Sequence, residues 1–318
     1  MKAIVLGGTG FIGSHVVEQL SSAGHEVTVA ARDMSNTKFL ENLGVNIVRI
    51  DFSNSAVIGK IIEGHEVVYN CTAAAKLHTK ISMDAEVEIK LTRTLIEASS
   101  SKGASRFIQL STIVIYDFRT NEPIDESYIS HPEYPIQSLG LEREKIIEDV
   151  GTKTGIETIV LRPASAIGTR DHSSFFARLF AAHANDQYPI VGNGDAKISL
   201  VDTRDIGRAM VWLGTYQKPK HDNGVYLLKG FDTTWNQLKK ELDNTTGKIS
   251  KTIVLPEDLA DEQLIKFKLT PFAFKTFTVN RLWNDNKIRK LGFYTKYSLT
   301  DAVEAAVRDL IGRSQKRR

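Results

Sequence analysis

Three glycines spaced three apart, Gly7, Gly10 and Gly13, are the first residues in the chain whose type and spacing point to chemistry. They follow a short continuous apolar run, Lys2-Ala3-Ile4-Val5-Leu6, and precede Ser14-His15-Val16-Val17-Glu18-Gln19-Leu20, where apolar residues return at helical spacing. Strand, tight turn and helix in that order leave the first helix N–H groups free to hold a diphosphate. Each glycine has a separate physical role. One makes the turn, one lets the backbone approach the phosphates, and one lets the helix pack on the strand. A βα turn that binds nothing is the competing reading of a glycine triplet alone. A second strand, Glu26-Val27-Thr28-Val29-Ala30, follows at the distance a βαβ unit requires, and a dinucleotide site is therefore expected.

The elements that must position this turn alternate through the first half. Strands are predicted at Val45 to Ile50, Glu66 to Cys71, Arg106 to Leu110 and Ile156 to Leu161, with helices from about Asp84 to Ser100 and across Leu141 to Val150. Such alternation implies a doubly wound parallel sheet, an α/β fold of Rossmann type, with ligand at the carboxyl ends of the strands. After Arg162-Pro163 the pattern loosens. Helices are predicted at Phe175–Ala184, Thr203–Trp212, Trp235–Thr246 and Leu299–Ile311, and strands at Ile198–Val201 and Val225–Leu228. We divide the chain into residues 1–165, a nucleotide-binding domain rejoined by the strand near 225–230, and residues 166–318, mainly a smaller mixed α/β substrate domain. A cleft between two domains is the usual seat of a small-molecule substrate.

Bulk properties narrow the possibilities. An apolar fraction of 42% and a charged fraction of 25% are those of an ordinary soluble protein. The net charge of +3 provides no basic stripe, so nucleic acid is not an expected partner. The single cysteine, Cys71, excludes an intrachain disulfide and fits a reducing compartment. No apolar run approaches membrane-spanning length, and the amino-terminal residues read as a core strand rather than a signal peptide; the expectation is a cytoplasmic protein. No metal-ligand spacing is evident.

The chain resembles the extended short-chain dehydrogenase/reductase family, in its NAD-dependent epimerase/dehydratase branch. The resemblance rests on Gly7-Gly8-Thr9-Gly10-Phe11-Ile12-Gly13, on Leu161 to Asp171 after the sixth strand, on Gly192 to Ile206, on Val225 to Gly230, and on Asp285 to Phe293, in that order. It implies a cofactor site built from Gly7, Thr9, Gly10, Phe11, Ile12 and Gly13, with Asp51 and Phe52 as an adenine clamp. Cys71, Thr72 and Ala73 would line the nicotinamide side, and Pro163 would follow the sixth strand. Relatives that use NAD carry an acid at the end of the second strand to hold the ribose hydroxyls. Here that place falls on Ala31, with Arg32 next. A planar guanidinium suits a 2′-phosphate, so NADP(H) is favoured over NAD(H), although Arg32 could be merely solvated and Asp33 could reach a ribose.

The resemblance also implies a reaction centre, and here the chain departs from it. The family pairs a tyrosine with a lysine one helical turn later, whose charge lowers the phenol's pKa from about 10. Counting back from Leu141 to Ile147, the tyrosine place is Ile136 and the lysine place Gly140; the place of a supporting asparagine is Glu88. The serine/threonine place alone is kept, as Thr112. Tyr134 stands two residues before Ile136, but Ser138 occupies its plus-four position. Two readings follow. One is an atypical oxidoreductase or isomerase acting on a nucleotide-sugar or similar small carbonyl or hydroxyl substrate. It would use Thr112 with Tyr134, or a loop histidine such as His131 or His172, and would hold substrate with Lys197 and Arg281, and with Phe175, Phe176 and Arg178. The other is an NADP(H)-binding sensor or scaffold without turnover. A homodimer through the two helices at 84–100 and 141–150 is implied by the resemblance alone.

Overall fold

The computed structural model describes residues 1–73, 81–216, 224–267 and 269–315. Its first half runs β1 (Lys2–Leu6), α1 (Gly13–Ser22), β2 (Glu26–Ala31), β3 (Asn46–Arg49), α2 (Ser55–Ile62), β4 (Val67–Asn70), α3 (Ile81–Ser101), β5 (Arg106–Leu110), α4 (Pro135–Thr154) and β6 (Glu157–Pro163). Then come β7 (Ser165–Ile167), α5 (Phe175–Ala184), β8 (Tyr188–Val191), β9 (Lys197–Asp202), α6 (Thr203–Thr215), β10 (Gly224–Leu228), β11 (Phe231–Thr234), α7 (Trp235–Thr246) and β12 (Thr252–Leu255). The last helices are α8 (Asp261–Leu264), α9 (Pro271–Thr278), α10 (Asn286–Lys290) and α11 (Leu299–Gln315).

Seven strands form one sheet in the order β10-β6-β5-β4-β1-β2-β3, every neighbouring pair parallel. The order turns back on itself between β1 and β4, and that switch point is where a doubly wound sheet opens a crevice for ligand. Parallel strands covered on both faces read as unbroken apolar runs, because neither face meets water. Ala3, Ile4, Val5 and Leu6 are accordingly all fully buried, each large side chain contributing about 1.5–3 kcal/mol. Val5 lies in register with Val29 on one side and Tyr69 on the other. One face carries a core with Val16 and Leu20 of α1 and Ile206 and Met210 of α6; the other carries Ile58 of α2, Leu95 of α3 and Ile147 of α4. Where α1 meets α6, a Cβ on Gly207 would lie 2.7 Å from the His15 carbonyl oxygen, so only glycine allows this approach.

Beyond β6 the sheets are small. β9 pairs antiparallel with β11 and parallel with β7, and β12 pairs parallel with β8. Their cores merge around Phe176, Trp235, Leu238 and Val303. The helix expected across 141–150 starts earlier, at Pro135, because Gln137 Oε1 accepts from the N–H groups of Glu133 and Tyr134 and proline suits a first helical turn. Helix α2, absent from the elements predicted above, is capped by Asn54 Oδ1, which accepts from the Ala56 and Val57 N–H groups. Among the described residues no helix is long and apolar enough to cross a membrane.

Candidate cofactor site

At the switch point, Gly7 has φ +80°, a conformation L side chains rarely adopt, and a Cβ there would sit 2.6 Å from the Cys71 carbonyl oxygen. The Gly10 N–H donates to the Gly7 carbonyl at 3.0 Å, closing the turn, and a Cβ on Gly13 would collide with that same carbonyl. The three glycines are thus required by space as well as by spacing. Helix α1 has no side-chain cap and no acidic residue in its first turn. The N–H groups of Phe11, Ile12 and Gly13 have no acceptor among the described residues. Thr9 stands half-exposed in the same turn. A cradle with free donors and no competing carboxylate fits a diphosphate.

The two ends of the crevice differ. Next to β2, Arg32 is exposed and its guanidinium has no partner among the described residues. Its loop is shaped by Arg49 of β3, which donates to the carbonyls of Arg32 (3.0 Å), Asp33 (2.6 Å) and Ser35 (3.3 Å) and to Thr37 Oγ1 (3.1 Å). Sequence reasoning missed Arg49; a basic residue closing the third strand beside this loop was its only signal. The exposed Asp51 accepts from Ser53 N and Oγ, both at 2.8 Å, and these bonds hold its carboxyl below the ordinary range. Phe52 packs half-buried against the core on that face of the sheet. At the exit of β4, the buried Asn70 donates to Gln109 Oε1 at 2.8 Å and accepts from Thr72 N (3.1 Å) and Thr72 Oγ1 (2.7 Å). Burial pushes the Cys71 thiol up to about 12, so it carries no thiolate near neutrality. Ala73 is exposed and Pro163 is buried opposite Leu228 of β10.

The glycine turn is also fastened from behind. Arg170, itself at φ +64°, donates from Nε to Ser14 Oγ at 2.7 Å, from NH2 to His15 Nδ1 at 2.8 Å, and to both oxygens of Glu18. Because Nδ1 accepts, the proton of the buried His15 ring belongs on Nε2, which lies 3.3 Å from the Thr169 carbonyl and 3.0 Å from Thr203 Oγ1. The Arg170 N–H donates to Asp309 of α11 at 2.8 Å. Burial alone would raise the Glu18 carboxyl, but the donors and charge of Arg170, with His15 beside it, bring it down to about 2.

Thr112 heads a short 3₁₀ turn, Ile113–Ile115, and its Oγ1 accepts from the Val114 N–H at 3.1 Å. Under it, Ser111 donates to Glu144, Arg162 grips both oxygens of Glu144, and Arg162 NH1 donates to the Tyr116 hydroxyl at 2.7 Å. Ile136 is half-buried on α4. A Cβ on Gly140 would collide with Ile115 Cγ2, so a side chain at the place where relatives are expected to carry lysine would require Ile115 to move. Tyr134 caps α4, and its ring meets Phe118 and Phe272 edge-on at 5.9 and 5.5 Å. Burial, with Glu133 and Asp261 beside it, raises its pKa.

The remaining candidates are scattered. His131 is exposed, with its backbone N–H on Asp117, while the His172 ring meets Arg313 of α11 at 2.9 Å. Lys197 is exposed at the start of β9, its ammonium without a partner among the described residues. Arg281 is 5% exposed and faces inward. Its guanidinium donates to the carbonyls of Asp117, Tyr116 (3.0 Å) and Ile113 (3.4 Å) and lies between Phe118 and Trp283. Phe176 is in the core and Phe175 edges onto Trp235, leaving Arg178 exposed beside them. Among the described residues no cluster of three metal-type ligands occurs.

Over 337 aligned residues the chain is 25% identical to a Dictyostelium discoideum sterol-4-alpha-carboxylate 3-dehydrogenase (decarboxylating), covering 96% of this chain and 99% of that one. The solved structure of a Thermotoga maritima UDP-glucose 4-epimerase with UDP-glucose superposes with a TM-score of 0.83 at 25% identity, over 99% of this chain and 100% of that one. A Bacillus cereus UDP-glucuronic acid 4-epimerase in complex with NAD superposes equally well (TM-score 0.83, 98% of this chain and 99% of that one), and at 20% identity it speaks for the fold. The sequence pattern common to one family runs through residues 3–228, from the first residues of β1 to the end of β10, and so takes in every strand of the parallel sheet and the whole glycine cradle. The chain belongs to the NAD dependent epimerase/dehydratase family.

Proposed function

We propose that the protein is an NADP(H)-preferring, reductase-type member of its family whose proton chemistry bypasses the tyrosine–lysine pair. The observation that carries the cofactor half is the open glycine cradle ending beside an exposed Arg32 whose guanidinium has no partner among the described residues, with no acid at Ala31. The cradle would hold the diphosphate, Arg32 the 2′-phosphate, and the Asp51–Phe52 and Cys71–Ala73 segments the two ends of the dinucleotide. When bound, such a cofactor supplies or accepts hydride at its nicotinamide ring. We assign residues 1–165 with β10 to cofactor binding and residues 166–318 mainly to substrate.

The chemical half rests on Tyr134 and Thr112. A phenol whose pKa is raised keeps its proton at neutral pH, which suits a donor to a carbonyl oxygen under reduction and not a base that removes a proton from an alcohol. Thr112 Oγ still has its own proton to donate to a substrate oxygen. Lys197 is the substrate-side cation this reading uses. Arg281 stands as the weaker of the two substrate residues, since three backbone carbonyls already take its donors. A nucleotide-sugar or similar small carbonyl compound is the substrate class, and copies paired through α3 and α4 in the cytoplasm complete the proposal.

Calorimetric titration of NADPH and NADH, followed by a spectrophotometric screen of carbonyl substrates at 340 nm, tests both halves; silence from both cofactors rejects the first. The closed place at Gly140 favours a second reading, a cofactor-binding protein without turnover. Tight NADPH binding with no oxidation across the screen would select it.

A further inference from the structure

The reaction centre lacks its lysine but not a cation. On α4, Ile136, Gly140 and Arg143 lie on one stripe at helical spacing, so Arg143 stands one turn beyond the closed place. Its side chain is 11% exposed and reaches across to α3 and to the segment that leaves β4. Nε donates to Thr92 Oγ1 at 2.9 Å, NH1 pairs with Glu88, and NH2 donates to the Thr72 carbonyl at 3.0 Å. Glu88, at the place expected for asparagine, is 4% exposed.

A buried ion pair is a poor source of stability, because desolvating both ions offsets most of their attraction. Its output here is geometric. The Thr72 carbonyl is held from one side by Arg143, while the Thr72 N–H is held by Asn70 and the Cys71 N–H by the Leu6 carbonyl at 2.9 Å. The Cys71 carbonyl, one residue back, is the group that a Cβ on Gly7 would meet. Arg143 therefore sets, through Thr72 and Cys71, how far the exit of β4 stands from the glycine turn.

We propose that Arg143, neutralised by Glu88, is a positioning residue that replaces the missing lysine at a distance: it fixes the 71–72 segment against the phosphate turn and so governs the grip on the nicotinamide half of the dinucleotide. This inference rests on the cofactor reading above. In a doubly wound sheet the adenine half lies over β2 and β3, away from this segment, so the two halves of the cofactor report separately.

The test uses the full chain and two probes, NADPH and adenosine 2′,5′-bisphosphate, titrated calorimetrically well below the unfolding temperature, with NADH and ADP as the equivalent pair if the protein takes those. Arg143→Lys keeps a charge but cannot hold the hydroxyl, carboxylate and carbonyl together. The double variant Glu88→Gln with Arg143→Gln leaves no buried charge unpaired, so it keeps the test open if single variants misfold. Both should weaken the whole dinucleotide by about tenfold or more, while the adenine half binds within about twofold of wild type. An unchanged dinucleotide Kd, or equal weakening of both probes, overturns the inference. Failure of wild type to bind any of the probes overturns the cofactor reading beneath it.

Discussion

Gly140 offers the sharpest test of whether Ile115 fills the space beside α4. Substituting Gly140→Ala in mid-helix should gain about 0.8–1 kcal/mol of helix propensity. Against this, the new methyl overlaps Ile115 Cγ2, and overpacking of a fully buried side chain costs about 1–3 kcal/mol. The net expectation is a loss of about 1 kcal/mol, opposite in sign to an ordinary glycine-to-alanine change in a helix. Ile115→Ala alone should cost about 2–5 kcal/mol, since Ile115 has no solvent exposure. In the double variant the overlap is gone and the added methyl fills part of the cavity, so the two changes should be less costly together than their sum by about 1–3 kcal/mol. Urea unfolding of the four proteins, followed by fluorescence and far-ultraviolet circular dichroism, measures that coupling. Additivity within about 0.5 kcal/mol would show that Ile115 does not occupy the lysine place, and the case for its closure would fall.

Further expectations follow from individual contacts. Arg32→Ser should weaken NADPH by about tenfold or more and leave NADH nearly unchanged in calorimetry, because a 2′-phosphate loses its charge-assisted donors; equal effects on both would remove Arg32 from the site. Arg281→Met should destabilise the fold by about 1–3 kcal/mol in urea, since the Asp117 carbonyl loses its donor while those of Tyr116 and Ile113 keep only Gln137 Nε2 and the Tyr116 N–H, and a wild-type midpoint would refute that role. Glu18 is brought down from 4.5 to about 2 in the folded chain, so its contribution is present above pH 4.5 and is lost as pH falls toward 2. Glu18→Gln should flatten that part of the stability profile, and an identical acid limb in the variant would count against the assignment. Cys71, half-buried and with its thiol up at about 12, should react with a thiol reagent at pH 8 far more slowly than a free cysteine; labelling of the native protein at the free-thiol rate would contradict that shift.

The glycine turn and the strands of the parallel sheet were readable because both signals are local: an apolar run too short for a helix, and glycines whose spacing is imposed by a single turn. The short strands β7, β8, β11 and β12 carry too few residues for a pattern, and α2 is announced mainly by its Asn54 cap. Counting along α4 puts the expected lysine place at Gly140, but the side chain beside it, Ile115, comes from another element and left no mark on the count. Arg281 shows the same limit. A basic residue near a presumed cleft looks like a ligand contact until the fold supplies three carbonyls from residues more than 160 positions away. Arg49 was missed because most of its partners are backbone carbonyls, which a sequence does not distinguish, and Arg143 because its partners, Glu88, Thr92 and the Thr72 carbonyl, lie more than 50 positions away on other elements.

The fastening of α1 has a consequence for biosynthesis. Ser14, His15 and Glu18 leave the ribosome well before Arg170, and Arg170 well before Asp309, yet one guanidinium and one backbone N–H join all three regions. Closing so long a loop is slow and must wait for the final helix to emerge. A nascent chain can assemble its parallel sheet while α11 is still unmade, but the Arg170 brace behind the phosphate cradle is itself anchored only once Asp309 has been added. A chain cut just before Asp309 should keep its strands and release its nucleotide.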